Sequence, residues 1–489
     1  MSSSPSLNKP AIDTAVRALL QASGAPGCAI VAVSGESVYA RGYGYTGTVG
    51  GQAVVTPETL FANASTTKAV TTTALAKLIG ERKMGWDDLV RKHLPAFRLS
   101  DPNADALVTV RDLVCHRTGL PRHDMLWYHS DYSREELVRR IGFAKPSAPF
   151  RSMYQYQNIC FTVAGEVVRA VSGAPSFEAY ATENLLRPLG MNRANFTAKE
   201  AQADPNHATP HRKKKNKAVP IPWLDFDALG CAGTMNSCAH DMKHWLRFQL
   251  SGGKALDGTQ IVDGDILRQT WRPQIPIVMD DDTRTRYPFV AQTSYALGWA
   301  VTNWRGGETV ISHAGAIDGF RAQAAFVPEK NVGVVVLVNL SAPFSEWARN
   351  TLLDLLLGHE VGDWVGCLKA EVAKAAESEK TSTTKLRETH KNRLRLPLPL
   401  AKFAGDYQCP AYGTARVTVN DDKKLHLTWN RLDAILRHQT FTTFETDTPD
   451  ETFRNNVVRF RLSPAGIIES LELYDGIFVR QETPASVTV

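Results

Sequence analysis

Four strand-like runs late in the chain constrain the fold most: Tyr295–Val301, Thr309–Ser312, Phe320–Phe326 and Val332–Val338. The turns Arg305-Gly-Gly and Pro328-Glu-Lys-Asn lie between them. Connections this short require antiparallel neighbours, because a parallel pair needs a crossover of about a dozen residues. Near the start, Ile12, Val16, Leu19 and Leu20 recur at helical spacing until Gly24 and Pro26. Two β-rich runs, Cys28–Val33 and Val38–Tyr43, then flank Ser34-Gly-Glu-Ser37 as a hairpin. Residues from about 65 to 265 read mainly helical, and a helix is expected from about Glu346 to Leu357. The pattern predicts a mixed α/β (α+β) domain over residues 1–365, with an antiparallel sheet drawn from both ends and a helical region inserted between.

The pattern changes beyond that domain. Residues 366–395 are rich in Lys, Glu, Ala, Ser and Thr with sparse apolar anchors, as in a solvated helix or linker. Within 396–489 the chain alternates through Arg416-Val-Thr-Val419 and Leu425-His-Leu-Thr-Trp429, and again through Val457–Leu462 and Ile467–Leu473. Short strands of about five residues at regular spacing predict a small β-barrel or sandwich.

Composition narrows the function classes. The chain has 489 residues, 43% hydrophobic and 22% charged, so neither disorder nor a disulfide-stapled miniature is expected. Lys plus Arg at 56 against Asp plus Glu at 50 leaves +6, too mild to demand nucleic acid. The run His211-Arg-Lys-Lys-Lys-Asn-Lys217 lacks interleaved aromatics and reads as a solvated loop. Seven scattered cysteines without Cys-x-x-Cys fit reduced, mostly buried thiols and no zinc site. Asp280-Asp-Asp282 lacks the glycine and further oxygen ligands of a calcium loop, and His359-Glu-Val-Gly-Asp363 departs from His-Glu-x-x-His. No metal and no organic cofactor is expected. The first residues lack the charged and apolar regions of a signal peptide, and no apolar run approaches the ~20 residues of a membrane span. A cytoplasmic protein without membrane contact is the expectation.

The sharpest local signal is Ser65-Thr-Thr-Lys68, followed by Ala69, Val70, Leu75, Ala76, Leu78 and Ile79. Here Ser65 opens an apolar helix and Lys68 lies one turn on, where a cation and the helix N-terminus both favour an ionised hydroxyl. Average usage yields about one or two such tetrapeptides by chance in a chain of this length. Ser6-Leu-Asn-Lys9 and Ser382-Thr-Thr-Lys385 are of that kind, since neither begins a helix able to dock in a core.

Two further elements follow in order, Tyr156-Gln-Asn158 and His313-Ala-Gly315, the second at the end of a predicted strand. Together with Ser65-Thr-Thr-Lys68 they make the chain resemble the serine β-lactamase and penicillin-binding-protein superfamily, nearest its class C-like branch of esterases and D-aminopeptidase-like enzymes. Asp112-Leu-Val-Cys-His116-Arg-Thr-Gly-Leu-Pro121 and Gly230-Cys-Ala-Gly-Thr-Met-Asn-Ser237 support the resemblance, which covers about residues 10–360. The tail resembles the lipocalin-like barrel appended in some members.

The resemblance implies that Ser65 is the nucleophile, that Lys68 and Tyr156 share its proton, and that Asn158 orients Lys68 or the substrate amide. It implies an oxyanion hole from the backbone N–H groups of Ser65 and Ala316, beside Gly315. His313 stands where the family's β-lactamases usually carry the lysine of Lys-Thr-Gly, so a largely neutral group replaces a permanent cation. An ester or peptide substrate is therefore expected ahead of a penicillin. His116 and Cys115 are expected to pack behind the site, and Trp127, Tyr128, Tyr132 and Tyr154 are candidates for an acyl pocket. A weak β-lactamase or acyltransferase remains an alternative. So does a non-catalytic scaffold that assembles, as a homo-oligomer, through its C-terminal barrel.

Overall fold

The computed structural model describes residues 7–47, 53–214, 217–389, 394–450 and 452–482. Contacts divide the chain into two compact units. The first comprises residues 1–97, 101–122 and 146–376, and the second residues 98–100, 123–145 and 377–489.

The first unit is organised by one antiparallel sheet. Its strands are β1 (Gly27–Ser34), β2 (Ser37–Gly44), β3 (Ile275–Ile277), β4 (Thr293–Tyr295), β5 (Ala300–Asn303), β6 (Thr309–Ile317), β7 (Phe320–Val327) and β8 (Val332–Val338). They lie in the order β2-β1-β8-β7-β6-β5-β4-β3, so the two ends of the segment meet where β1 pairs with β8. Every residue of β1 and β8 is buried, which explains their unbroken apolar runs. Helix α1 (Lys9–Ser23) ends at Gly24 with φ 68°, a left-handed cap that glycine adopts without strain. It packs on the helix Phe344–Leu357, which covers β7 and β8, while the helix Ala239–Leu250 packs on β1 and β8. Ile30, Ala32, Val334 and Val336 share the core of α1 and Phe344–Leu357, whereas the opposite face receives Leu246 against Gly333.

The run expected as one strand, Tyr295–Val301, folds instead as the hairpin β4–β5. Gly298 turns it, at φ 79°, and a Cβ there would lie 3.0 Å from the Lys68 carbonyl oxygen. The basic run likewise departs from a loop: His211–Lys214 pairs with Lys217–Pro220, and His211 is fully buried. Lys215 and Asn216 lie outside the described residues. The Asp280 carboxylate accepts from the Thr283 N–H and caps the short helix Asp281–Arg286.

In the second unit, eight consecutive antiparallel strands between Gly405 and Arg480 close into a barrel, the last pairing with the first. Strand Leu425–Trp429 alternates buried and half-buried positions, as a closed barrel requires. Phe403, Tyr407, Trp429, Phe444, Phe460 and Phe478 are all buried there. Residues 123–145 belong to this unit although they lie far from the barrel in sequence. The Tyr412 hydroxyl donates to Nδ1 of buried His123 at 2.6 Å, and Nε2–H of His123 donates to the Lys145 carbonyl at 2.9 Å. Arg140 donates to the carbonyls of Pro410 and Ala411, and Tyr132 donates to that of Tyr412. A helix spans Trp364–Thr389, and no helix among the described residues is long and apolar enough to cross a membrane.

Candidate active site

The site grows from a turn between a short strand and a buried helix. Phe61–Ala62 pairs with Asn236–Ser237, and the chain then passes through Ala64 at φ 47°. A left-handed conformation costs a non-glycine residue roughly 1–3 kcal/mol. The single helical turn Ala64–Thr66 carries Ser65 and leads directly into α2 (Thr67–Gly80). Ser65 therefore stands at the N-terminal end of that helix, where unpaired N–H groups favour negative charge. α2 is buried on nearly all sides, and its threonines satisfy themselves on carbonyls: Thr71 on Cys231 at 2.6 Å and Thr73 on Ala69 at 2.8 Å.

Lys68 is fully buried, and its Nζ lies within hydrogen-bond distance of Ser65 Oγ at 3.1 Å, Asn158 Oδ1 at 2.8 Å and the Ala232 carbonyl at 2.7 Å. The same Nζ lies 4.8 Å from the centre of the Tyr156 ring and 5.3 Å from that of Phe161, two further contacts that suit a cation.

Tyr156 and Asn158 are placed by the start of helix Asn158–Ser172. Gln157 is its N-cap, accepting from the Ile159 N–H at 2.7 Å while its amide donates to the carbonyls of Pro121 and Arg122 at 2.7 and 3.0 Å. The Arg122 guanidinium lies over the Tyr156 ring at 4.8 Å. His116 packs at 4.2 Å from that ring and touches Tyr154, Phe161 and Tyr295, so it does pack within an aromatic wall. Its Nδ1 accepts the Gln157 N–H at 3.0 Å, and burial, then the Lys68 charge, holds it neutral, well below its usual range. The four candidate pocket aromatics divide: Tyr154 is in the first unit, and Trp127, Tyr128 and Tyr132 are in the second.

His313, Gly315 and Ala316 lie on β6, which packs against the Ser65 turn. The approach is close: a Cβ on Gly315 would stand 2.1 Å from the Asn63 carbonyl oxygen. Both nitrogens of His313 are engaged, Nδ1–H donating to the Ala314 carbonyl at 2.6 Å and Nε2 accepting from the Tyr295 hydroxyl at 2.9 Å. Burial, with the Lys68 charge adding to it, brings its pKa down to about 3. Tyr295, pushed well above its usual range by burial, stays a hydroxyl donor.

Two neutral buried imidazoles make stability depend on pH. Their folded pKa values are lowered, so below about pH 6.5 the unfolded chain binds protons that the folded one refuses. Stability is fully present above pH 6.5 and falls as pH drops below it. Buried Asp112, held below its usual range by Arg151, the Thr109 N–H and Arg117 against the cost of burial, adds a loss at lower pH as it is protonated. The expected result is a Tm that declines between pH 7 and 5, less steeply in His313→Gln; parallel declines would contradict the assignment.

The structure thus gathers Ser65, Lys68, Tyr156, Asn158 and the His313–Ala316 strand around one point. Sequence reasoning missed the Ala232 carbonyl, Tyr295 and Arg122. The glycine-rich turn at Gly230, with φ 51° and ψ −114°, was a legible signal for the first, whereas the other two are adjacent only in three dimensions.

A buried lysine bridging a helix-opening serine to a tyrosine–asparagine turn, beside an antiparallel strand, defines a β-lactamase-like site. The Beta-lactamase family model matches residues 12–359, and the chain belongs to that family. Residues 389–484 match a domain of unknown function, DUF3471. Relatives include the unguisins hydrolase ungD' of Aspergillus campestris, 27% identical over 82% of this chain and 76% of its own. The unguisins hydrolase ungD of Aspergillus violaceofuscus is 28% identical, over 90% and 83%. Among solved structures, the octameric penicillin-binding protein homologue from Pyrococcus abyssi superposes with a TM-score of 0.63 at 21% identity, covering 97% of this chain and all of that one. A D-stereospecific amidohydrolase from Streptomyces sp. gives 0.57 at 19% identity over 71% and 98%.

Proposed function

We propose that this protein is a serine hydrolase that cleaves an amide or ester through an acyl-enzyme on Ser65. The observation that carries the reading is the buried Lys68 Nζ, 3.1 Å from Ser65 Oγ, 2.8 Å from Asn158 Oδ1 and over the Tyr156 ring. With Lys68 as the cation, the proton of Ser65 goes to the ionised oxygen of Tyr156, which that neighbouring charge favours. Ser65 Oγ then bonds to the substrate carbonyl carbon, and the backbone N–H groups of Ser65 and Ala316 receive the oxyanion. The proton passes from Tyr156 to the leaving amine or alcohol as its bond to carbon breaks. Water then gives a proton to Tyr156 as its oxygen bonds to the acyl carbon, the bond from that carbon to Ser65 Oγ breaks, and Tyr156 returns the proton to Ser65 Oγ as the acid leaves.

His313 supplies no cation for a substrate carboxylate, which favours amides and esters without one at that position over penicillins. The likeness to two proteins named as unguisins hydrolases adds weight to a hydrolase reading. The test is intact-mass analysis after treatment with a fluorophosphonate. One adduct is expected, mapping to Ser65, lost in Ser65→Ala and kept in Ser382→Ala; no adduct on a folded wild type would refute the reading. A parallel comparison of a nitrophenyl ester, a D-alanyl anilide and a cephalosporin then ranks substrate classes, the cephalosporin being expected last.

A further inference from the structure

Two cations lie over the Tyr156 ring, and the histidines packed near it are neutral. Lys68 on α2 and Arg122 each lie 4.8 Å from its ring centre. Titratable groups that also face it are His116 at 4.2 Å, His313 on β6 at 6.3 Å, and Tyr154 and Tyr295 in the same aromatic wall. Both imidazoles are neutral, and Tyr295 is held as a phenol. Arg122 is exposed, yet its position is built in: the carbonyls of Pro121 and Arg122 both accept from Gln157, the residue next to Tyr156. Its charge also bears on His116 and Tyr154, so it faces the whole wall.

We propose that Arg122 is a positioning residue that acts through Tyr156, steadying its ring and favouring the ionised phenol that accepts the Ser65 proton. The inference rests on the proposed serine mechanism and adds a residue that the Ser-x-x-Lys, Tyr-x-Asn and His-x-Gly elements do not contain. Because Lys68 is buried while Arg122 is exposed, the Arg122 contribution is the one open to screening by salt.

The experiment measures the rate at which a fluorophosphonate modifies Ser65 as a function of pH, in the full chain. Removing a cation disfavours the ionised phenol, so Arg122→Gln is expected to move the acidic limb of the profile upward by about 0.5–1 pH unit, with the rate recovering on the alkaline side. Arg122→Lys keeps the charge and stays near wild type. In wild type, raising salt from about 0.05 to about 1 M shortens the screening length to about 3 Å and is expected to move the limb the same way. This second measurement needs no variant. A limb that stays in place in Arg122→Gln, or a drop equal at every pH and shared by Arg122→Lys, would overturn the proposal while Ser65 labelling left the hydrolase reading intact. Failure of wild type to label at Ser65 would remove both.

Discussion

Lys68→Met is expected to lower kcat/KM by on the order of a thousandfold or more, about as much as Ser65→Ala, and the double variant is expected to lose no more than either. Groups that act as one unit fail together, so their losses do not add. The physical ground is that Lys68 Nζ is simultaneously a neighbour of Ser65 Oγ, Asn158 Oδ1 and the Tyr156 ring. Methionine fills the same volume without the charge. It leaves Asn158 Oδ1 and the Ala232 carbonyl without their present donor, a cost of about 1–3 kcal/mol per unsatisfied buried group. The fold should survive, as a retained cooperative melting transition would show. Steady-state kinetics on the best of the three chromogenic substrates checks the rest, and losses that multiply in the double variant would mean that Ser65 and Lys68 work independently.

Gly315→Ala is expected to be the most damaging single-methyl change near the site. The added carbon would fall 2.1 Å from the Asn63 carbonyl oxygen, so either β6 or the turn before Ser65 must retreat. Overpacking of this kind costs about 1–3 kcal/mol, and a displacement near 1 Å in a reacting geometry can cost about a hundredfold in rate. The expected outcome is a folded protein with lowered Tm and kcat reduced by about that factor, more than KM is changed. A control at Gly173, where a Cβ meets nothing within 4 Å but φ is 74°, should lose stability without losing activity. Equal activity in Gly315→Ala and wild type would show that the strand edge does not set the geometry at Ser65.

Much of the architecture was legible because it is written in local periodicity. The hairpin of β1 and β2 and the meander of β6, β7 and β8 follow from short turns between apolar runs, and the barrel follows from alternation. The split of Tyr295–Val301 into two strands was not, since an apolar run hides a tight turn unless the glycine in it is seen to need positive φ. Nor was the place of residues 123–145. Their polar, aromatic-rich sequence carries no periodicity that ties them to strands nearly 300 positions away, and the tie is made by single hydrogen bonds such as Tyr412 to His123.

The candidate site divides the same way. Ser65-Thr-Thr-Lys68 and Tyr156-Gln-Asn158 are recognisable in one dimension because each sits at the start of a helix, whereas His313-Ala-Gly315, expected at the end of a strand, lies within β6, which runs on to Ile317. What each group does there is decided by neighbours distant in sequence. His313 is neutral because burial and the Lys68 charge make it so, Lys68 is held by the Ala232 carbonyl of a turn distant in sequence, and Arg122 stands over Tyr156 where Gln157 holds its backbone. The sequence by itself determined which elements form and which chemical groups they carry, since dihedral preference and burial period act over a few residues. Protonation, orientation and charge balance were decided by tertiary structure alone, because electric fields and desolvation depend on distance through space and not along the chain.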